Sequence, residues 1–492
     1  MMQAFTPSQQ SSDINTNSPS HVVFYHDLGI KRMIFAGGII SLVYSLAWTI
    51  QEDLLIDICN FTLPTAMTIL CFVSVYLRIS NNTLYLWAPE TWFLVYSGIQ
   101  FGVGSLVYFS GNEAILYSID YAIRVRGILL LKTNLLNSIT ITLVLIGTMF
   151  LPRKSVYQKK NVDIRFCKML SIIFFSVFAT IWILSKIVSV LPSSILELGN
   201  SSIISSMVIN FFLWSKGDRR QAKWALLTLI VLTLFALPDF GKTVFLQNFL
   251  YAGLGYLLAK SVLPQKQFLA FTILLLLLLI WYRPISEYGR KQGIFKLTYQ
   301  ERLEETVSFI LDERRGDSSR SSSKESLMRL WSRQNLNGIQ AYLMDRYDRG
   351  LSGNSISEIW VYFIPRFLWP EKPYTTNIAR VLNKMVFGYE SSALAPSFNG
   401  DAYWNGGWPA VIGVSLYVGV VIAFFSRISL KHLNLWDLRV LPIAIAGINL
   451  GRYVEGFFAS AFIGGVIIMG CMWLLIKTII PSPNSKFHRW TN

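Results

Sequence analysis

Three places in the sequence combine residue types that could do chemistry. The first is Ile364-Pro365-Arg366-Phe367-Leu368-Trp369-Pro370-Glu371-Lys372-Pro373, where an arginine stands among apolar and aromatic neighbours between prolines. Proline removes backbone donors and kinks a helix, so this stretch does not cross a membrane as a plain helix. A guanidinium fork matches phosphate oxygens in bidentate fashion and never loses its charge. Arg366 in such an aromatic belt therefore calls for an anionic partner, either a lipid headgroup or a lipid-linked phosphate. The second place is Gly400-Asp401, followed by Tyr403-Trp404-Asn405-Gly406-Gly407. Asp401 there either closes an Asx-type turn or serves as a carboxylate base at the membrane surface. The third is Arg452, late in an apolar run, where an ionisable group is a functional candidate, or the intrahelical partner of Glu455 three residues on.

Around the first stretch lie Arg329, Arg333, Arg346, Arg349 and Arg380, with Asp345 and Asp348 as nearby salt-bridge partners. Taken singly, each of these arginines reads first as part of a solvated face. Lys132 reads as a snorkelling residue at the edge of an apolar run.

The elements that must position these groups follow from composition. The 492 residues are 53% hydrophobic and 15% charged, with mean hydropathy +0.44. A soluble globule carries about 25% charged residues, so the chain reads as a polytopic membrane protein. The net charge of +16 is not accompanied by any nucleic-acid recognition motif and fits basic cytoplasmic loops instead. Cys59, Cys71, Cys167 and Cys471 show neither disulfide nor zinc spacing.

Apolar runs long enough to span fall near 33–50, 61–79, 92–110, 128–151, 169–191, 201–215, 224–238, 243–259, 267–282, 408–425, 440–457 and 459–476, about twelve helices in all. Lys and Arg collect in the loops 153–168, 216–223, 260–266 and 427–439, whereas 51–60, 192–200 and 455–459 have none. By the positive-inside rule both termini are cytoplasmic and residues 283–407 lie outside. The expected division is a disordered tail 1–32, about nine helices in 33–282, an extracytoplasmic helical domain 283–407, about three helices in 408–476 and a tail 477–492. Amphipathic patterns at 303–311, 327–343 and 378–386 mark helices in the outer domain, and the Ser-rich stretch 316–323 reads as a linker. His21, His26, His432 and His488 all fall on the cytoplasmic side, so proton transfer at an outer site is left to carboxylates or tyrosine.

The combination Ile364-Pro365-Arg366-x-x-Trp369-Pro370-x-Lys372-Pro373, then Gly400-Asp401-x-Tyr403-x-Asn405-Gly406-Gly407, on a large outer loop late in such a chain resembles the O-antigen (Wzy-type) polymerases and related repeat-unit polymerases. That resemblance implies an all-α, GT-C-like bundle in the bacterial cytoplasmic membrane. It also implies inverting, metal-independent glycosyl transfer between oligosaccharides on undecaprenyl diphosphate at the outer leaflet, with no cofactor. Arg366 and Arg452, with Arg329, Arg333 and Lys372, would hold the diphosphate. Asp401 would activate the acceptor, and Trp369, Tyr403 and Trp404 would stack sugar rings. Membrane lipids and a chain-length regulator are the implied partners, and nucleic acid is not among them. The related O-antigen ligases use an outward His that is missing here, and a flippase or exporter would place its cations in a central cavity without a long structured outer loop.

Overall fold

The structure, a computed structural model, describes residues 26–112, 116, 123–151, 162–187, 193–260, 262–291, 294, 297–313, 328, 330–364, 369, 371–372, 377–389 and 394–480. Among them the fold is helical throughout, and the single β-type pairing is an antiparallel bridge between Ser397 and Glu455. Ten helices among the described residues are long and apolar enough to cross a membrane. The chain is thus a multi-pass, all-helical membrane protein. Its spans begin with α1 (His26–Ile50) and α2 (Asp53–Asn81), continue through the irregular stretch that starts with α3 (Pro89–Ser97), and include α4 (Gly127–Met149), α5 (Ile164–Ile187), α6 (Ser193–Ser215) and α7 (Arg219–Ala236).

Every sequence-expected span meets a helix, but two of them are short. The helix α8 (Lys242–Leu258) has 17 residues, and the late helix Leu441–Arg452 has 12. Twelve residues rise only about 18 Å. This last helix stops at Arg452 because Tyr453 leaves helical geometry, and the chain then turns through Gly456 at φ 145°.

The most buried spans are α6 and α4, at 72 and 67% of their apolar windows, followed by the stretch Pro89–Phe109 at 61% and the long helix Phe398–Asn434 at 56%, whereas α9 (Gln265–Lys291) buries 17% and presents leucines outward. α4 and Phe398–Asn434 touch backbone to backbone. A Cβ at Gly147 would lie 2.4 Å from the Leu416 carbonyl oxygen, and one at Gly419 would lie 2.1 Å from that of Val144. Small residues at a helix crossing permit this approach, which drives association where lipid removes the hydrophobic term.

The insertion between α9 and Phe398–Asn434 carries α10 (Tyr299–Glu313), α11 (Asn337–Asp348) and α12 (Asn377–Phe387), close to the expected amphipathic patterns. Its limits differ from 283–407, since α9 runs on through Pro284 to Lys291 and the long helix α13 already begins at Phe398. The expected linker 316–323 lies outside the described residues, as do 1–25 of the expected tail 1–32 and 481–492 of the expected tail 477–492, whereas 26–32 belong to the helix His26–Ile50 and 477–479 to the helix Gly464–Ile479. Thr298 and Glu301 form a capping box that starts α10: the Thr298 N–H and hydroxyl donate to Glu301 at 2.8 and 2.9 Å.

Carboxamides dock the insertion into the bundle. Gln340 of α11 and Asn137 of α4 exchange two hydrogen bonds, at 2.7 and 3.1 Å. The Gln340 amide also donates to Ser397 Oγ at 2.7 Å and to Asn399 Oδ1 at 3.1 Å, and Asn399 donates to Asn137 Oδ1 and Thr140 Oγ1. One turn earlier, Asn337 donates to Asn134 Oδ1 at 2.8 Å and to Thr133 Oγ1 at 3.0 Å. All these side chains are buried.

At the opposite end of the bundle, Asp437 accepts Arg439 Nε at 2.7 Å and Nη2 at 2.9 Å and meets His432 Nδ1 at 3.0 Å. Arg439 also donates to the Ile480 carbonyl, so one carboxylate joins the end of α13, the start of α14 (Leu441–Arg452) and the end of α15 (Gly464–Ile479). Burial pushes the Asp437 carboxyl up, but the bonds from Arg439 and His432 outweigh it and hold the group well below the usual range.

Gln340→Leu leaves Asn137 and Asn399 without their partner, a loss of roughly 2 to 5 kcal/mol. Limited proteolysis is expected to cut the insertion before the bundle, and a digestion pattern equal to wild type contradicts this docking. A depressed carboxyl pKa adds stability that is complete above the unfolded carboxylate value and is lost as pH falls through the folded one. Asp437→Asn is therefore expected to lower thermal stability in detergent at pH 7, on the order of 2 kcal/mol, with the gap to wild type closing in strong acid.

Candidate functional site

The second sequence cluster forms an internal joint. Ser397 caps α13, its Oγ accepting the Gly400 N–H at 3.2 Å. Asp401, in the first turn, is fully buried. Its Oδ1 accepts the Ser355 hydroxyl and Asn405 Nδ2 at 3.1 Å, and its Oδ2 accepts the Phe458 N–H at 2.9 Å. Asn405 in turn accepts the Ile356 N–H at 3.1 Å. One carboxylate thus joins the loop around Ser355, the start of α13 and the N-terminus of the last span, where free backbone donors and the helix dipole favour an anion. The expectation of a surface base is corrected here: burial and three donors engage both oxygens. Just below, Gly406 and Gly407 leave helical dihedrals, and Gly407, at φ 62°, lets α13 kink.

Tyr403 and Trp404 are buried as well. The Tyr403 hydroxyl donates to Asp348 at 3.0 Å, and Trp404 Nε1 donates to the Leu351 carbonyl at 3.0 Å. Gly353 lies so close over the Trp404 ring that a Cβ there would come within 2.6 Å of it. Neither ring offers an open face for a sugar, which corrects their expected role. Trp369 stacks on the exposed Trp360 with centroids 5.7 Å apart.

The cations divide into separate groups. Arg366 and Arg329 lie outside the described residues. Lys372 donates to the Ile364 carbonyl at 2.8 Å and sits 6.0 Å from the Tyr362 ring centroid. Burial and the nearby Asp401 push the Tyr362 phenol up to about 12. Lys132 does not snorkel but pairs with Asp348 of the insertion, 5.2 Å from the Tyr403 ring centroid. Arg333 is exposed and lies within electrostatic reach of Lys242, which also meets Glu287 at 3.4 Å.

Arg452 is in a different setting. α14 ends at this residue, so the helical register to Glu455 is lost, and no ion pair within 4 Å joins the two; Glu455 lies exposed on the turn, within electrostatic reach. Asn449 Oδ1 accepts Gln247 Nε2 at 2.7 Å, Tyr251 Oη at 3.1 Å and Arg452 Nη1 at 3.3 Å. A carboxamide oxygen has two lone pairs, so three donors converge where two can be well served, and among the described residues only the Tyr251 hydroxyl has an alternative, the Ile445 carbonyl at 3.4 Å. Arg452 Nε is buried with no partner, and the guanidinium stands 5.5 Å from the Tyr96 ring centroid. The surplus is of donors, and an acceptor-rich anion would satisfy it.

Sequence reasoning singled out Arg452 but missed Gln247, Tyr251 and Asn449. The available signal was polar residues at helical spacing inside apolar runs: 247 and 251 are four apart, and 449 and 452 are three apart. Lys242 opens the same helix, so α8 leads from the group around Arg333 down to the donors at Arg452 over nine residues, about 13 Å. Among the described residues no three His, Cys, Asp or Glu side chains converge as a metal site would require.

If Asp401 is a strut, Asp401→Ala lowers folding stability, by at least 3 kcal/mol in order of magnitude, and any loss of function follows the loss of folded protein. Thermal unfolding with a quantified membrane fraction checks this, and a normally stable Asp401→Ala protein contradicts it. Comparison with protein-family models, with curated proteins and with solved structures finds no match for this chain.

Proposed function

We propose that this protein polymerises oligosaccharide repeat units carried on undecaprenyl diphosphate at the outer face of a bacterial cytoplasmic membrane. The observation that carries the reading is the surplus of hydrogen-bond donors at Arg452, next to the turn onto which the insertion folds. In this reading α8 and α14 span together with the ten longer helices, and the chain is a twelve-helix, GT-C-like bundle with both termini cytoplasmic and the insertion outside. Membrane lipids surround it, and a chain-length regulator is a fitting partner.

In this reading the lipid-linked diphosphate supplies the acceptor oxygens and is held by Arg452, Gln247 and Tyr251. Lys242 and Arg333, with Arg366 and Lys372 from the insertion, draw the anion in. Glycosyl transfer with inversion leaves the diphosphate carrying the developing charge, and a positioned cationic donor there is worth roughly 3 to 4 kcal/mol when it acts on the transition state. The attacking sugar hydroxyl must lose a proton. Because Asp401 is engaged within the fold, we assign that step to Glu455, an exposed carboxylate on the turn beside Arg452.

Arg452→Ala is expected to reduce polymerisation about 100-fold or more while the protein accumulates and unfolds normally, and Glu455→Gln is expected to reduce it without loss of substrate binding. Glycan chain length in a polymer-deficient host, read beside protein level, is the measurement. Chains of wild-type length from Arg452→Ala would sink the proposal.

A further inference from the structure

A cavity of about 180 Å³ opens at the basic end of the bundle, away from the insertion. Three helices finish on it: α2 at Asn81, α8 at Leu258 and α13 at Asn434. Asn434 is 3% exposed and its Nδ2 has no hydrogen-bond partner, although it lines the cavity. A buried amide donor without an acceptor is costly and rare in a folded protein. Lys260, also on the wall, has its ammonium 5.5 Å from the Tyr256 ring centroid, with no carboxylate among the described residues within 4 Å. The Lys260 carbonyl is tied to the Thr83 hydroxyl, which holds this wall in place. Trp436 forms another part of the lining, with the Lys216 ammonium 5.1 Å from its ring centroid.

These groups ask for two things at once. Lys260 and Asn434 Nδ2 call for an oxygen acceptor, preferably anionic, while the three helix ends offer carbonyl oxygens that call for donors. Three helix ends, at about half a negative charge each, exceed the charge of Lys260 alone, and it is Lys260 together with Lys216, whose ammonium lies over the lining Trp436, that outweighs them; a hydroxyl on the ligand would meet the carbonyls. Asn81 and Asn82 add two further carboxamides to the wall, and the remainder is apolar, with Leu84, Leu258, Leu433 and Val262, of which Val262 is 65% exposed at the mouth. An amphipathic ligand at a membrane interface fits this combination. We propose that the cavity binds the glycerophosphate headgroup of an anionic phospholipid, its phosphate on Lys260 and Asn434 Nδ2, its hydroxyls on the helix-end carbonyls, and its acyl chains leaving past Val262. This site is independent of the glycan chemistry proposed at the other end of the bundle.

The test uses the full chain in nanodiscs of phosphatidylcholine, with and without phosphatidylglycerol, reading thermal unfolding and the lipid retained in native mass spectrometry. Wild type is expected to retain phosphatidylglycerol and unfold at higher temperature with it. Lys260→Gln is expected to bind it roughly fivefold more weakly, Lys260→Arg to restore binding, and Lys223→Gln, on the exposed face of α7, to behave as wild type. Soluble glycerol phosphate is the second arm. Lys260-dependent stabilisation by it alone assigns the same phosphate chemistry to a soluble ligand and overturns the lipid assignment. Equal retention of the two lipids, or phosphatidylglycerol binding unchanged in Lys260→Gln, overturns the site.

Discussion

The reciprocal amide pair between Gln340 and Asn137 is the contact on which the rest depends. Inside a bilayer a carboxamide has no water to fall back on, so each must find another polar group. These two find each other across more than two hundred residues of sequence, and Asn399, Ser397 and Thr140 complete the set. A helix of the insertion is therefore built into the bundle rather than laid on it. From there the constraint passes along covalent and hydrogen-bonded neighbours. Ser397 is both an acceptor for Gln340 and the partner of Glu455 in a β-bridge, and four residues later Asp401 fixes the start of the last span. The turn that carries Glu455 begins directly after Arg452.

This continuity explains why the chain tolerates a helix as short as α14. Its backbone ends inside the protein, where irregular segments are allowed only if their polar groups are met by other protein groups. The Phe398 N–H donates to Val454 at 3.2 Å, and the Gly456 N–H donates to Pro396, so the segment before α13 supplies what a longer helix would have supplied internally. The opposite end is closed by charge, through Asp437 and Arg439.

Much of this was legible in the sequence. Apolar runs reveal spans because hydrophobic length is a local property, and the amphipathic periods of α10 and α12 are local too. Gly400 to Gly407 could be recognised as unusual, but whether Asp401, Tyr403 and Trp404 face a ligand or the interior depends on Ser355, Leu351 and Asp348, some fifty residues away. Arg452 stood out as a charge in an apolar run. Its intrahelical pairing with Glu455 failed because the helix ends at Arg452 itself, and Gln247 and Tyr251 were hidden because nothing near them marks a contact with Asn449 two hundred residues on.

What remains at Arg452 is an electrostatic and hydrogen-bonding imbalance. Three donors share one carboxamide oxygen, one guanidinium nitrogen has no partner, and an aromatic ring supplies only weak attraction to the cation. A diphosphate, with many acceptor oxygens and negative charge, would satisfy all of these groups together. The most direct measurement is binding of undecaprenyl diphosphate, without any sugar, to the protein in nanodiscs, comparing wild type with Arg452→Gln at matched folding. The account predicts that the substitution weakens binding about tenfold or more, and equal affinity in the two proteins would contradict it.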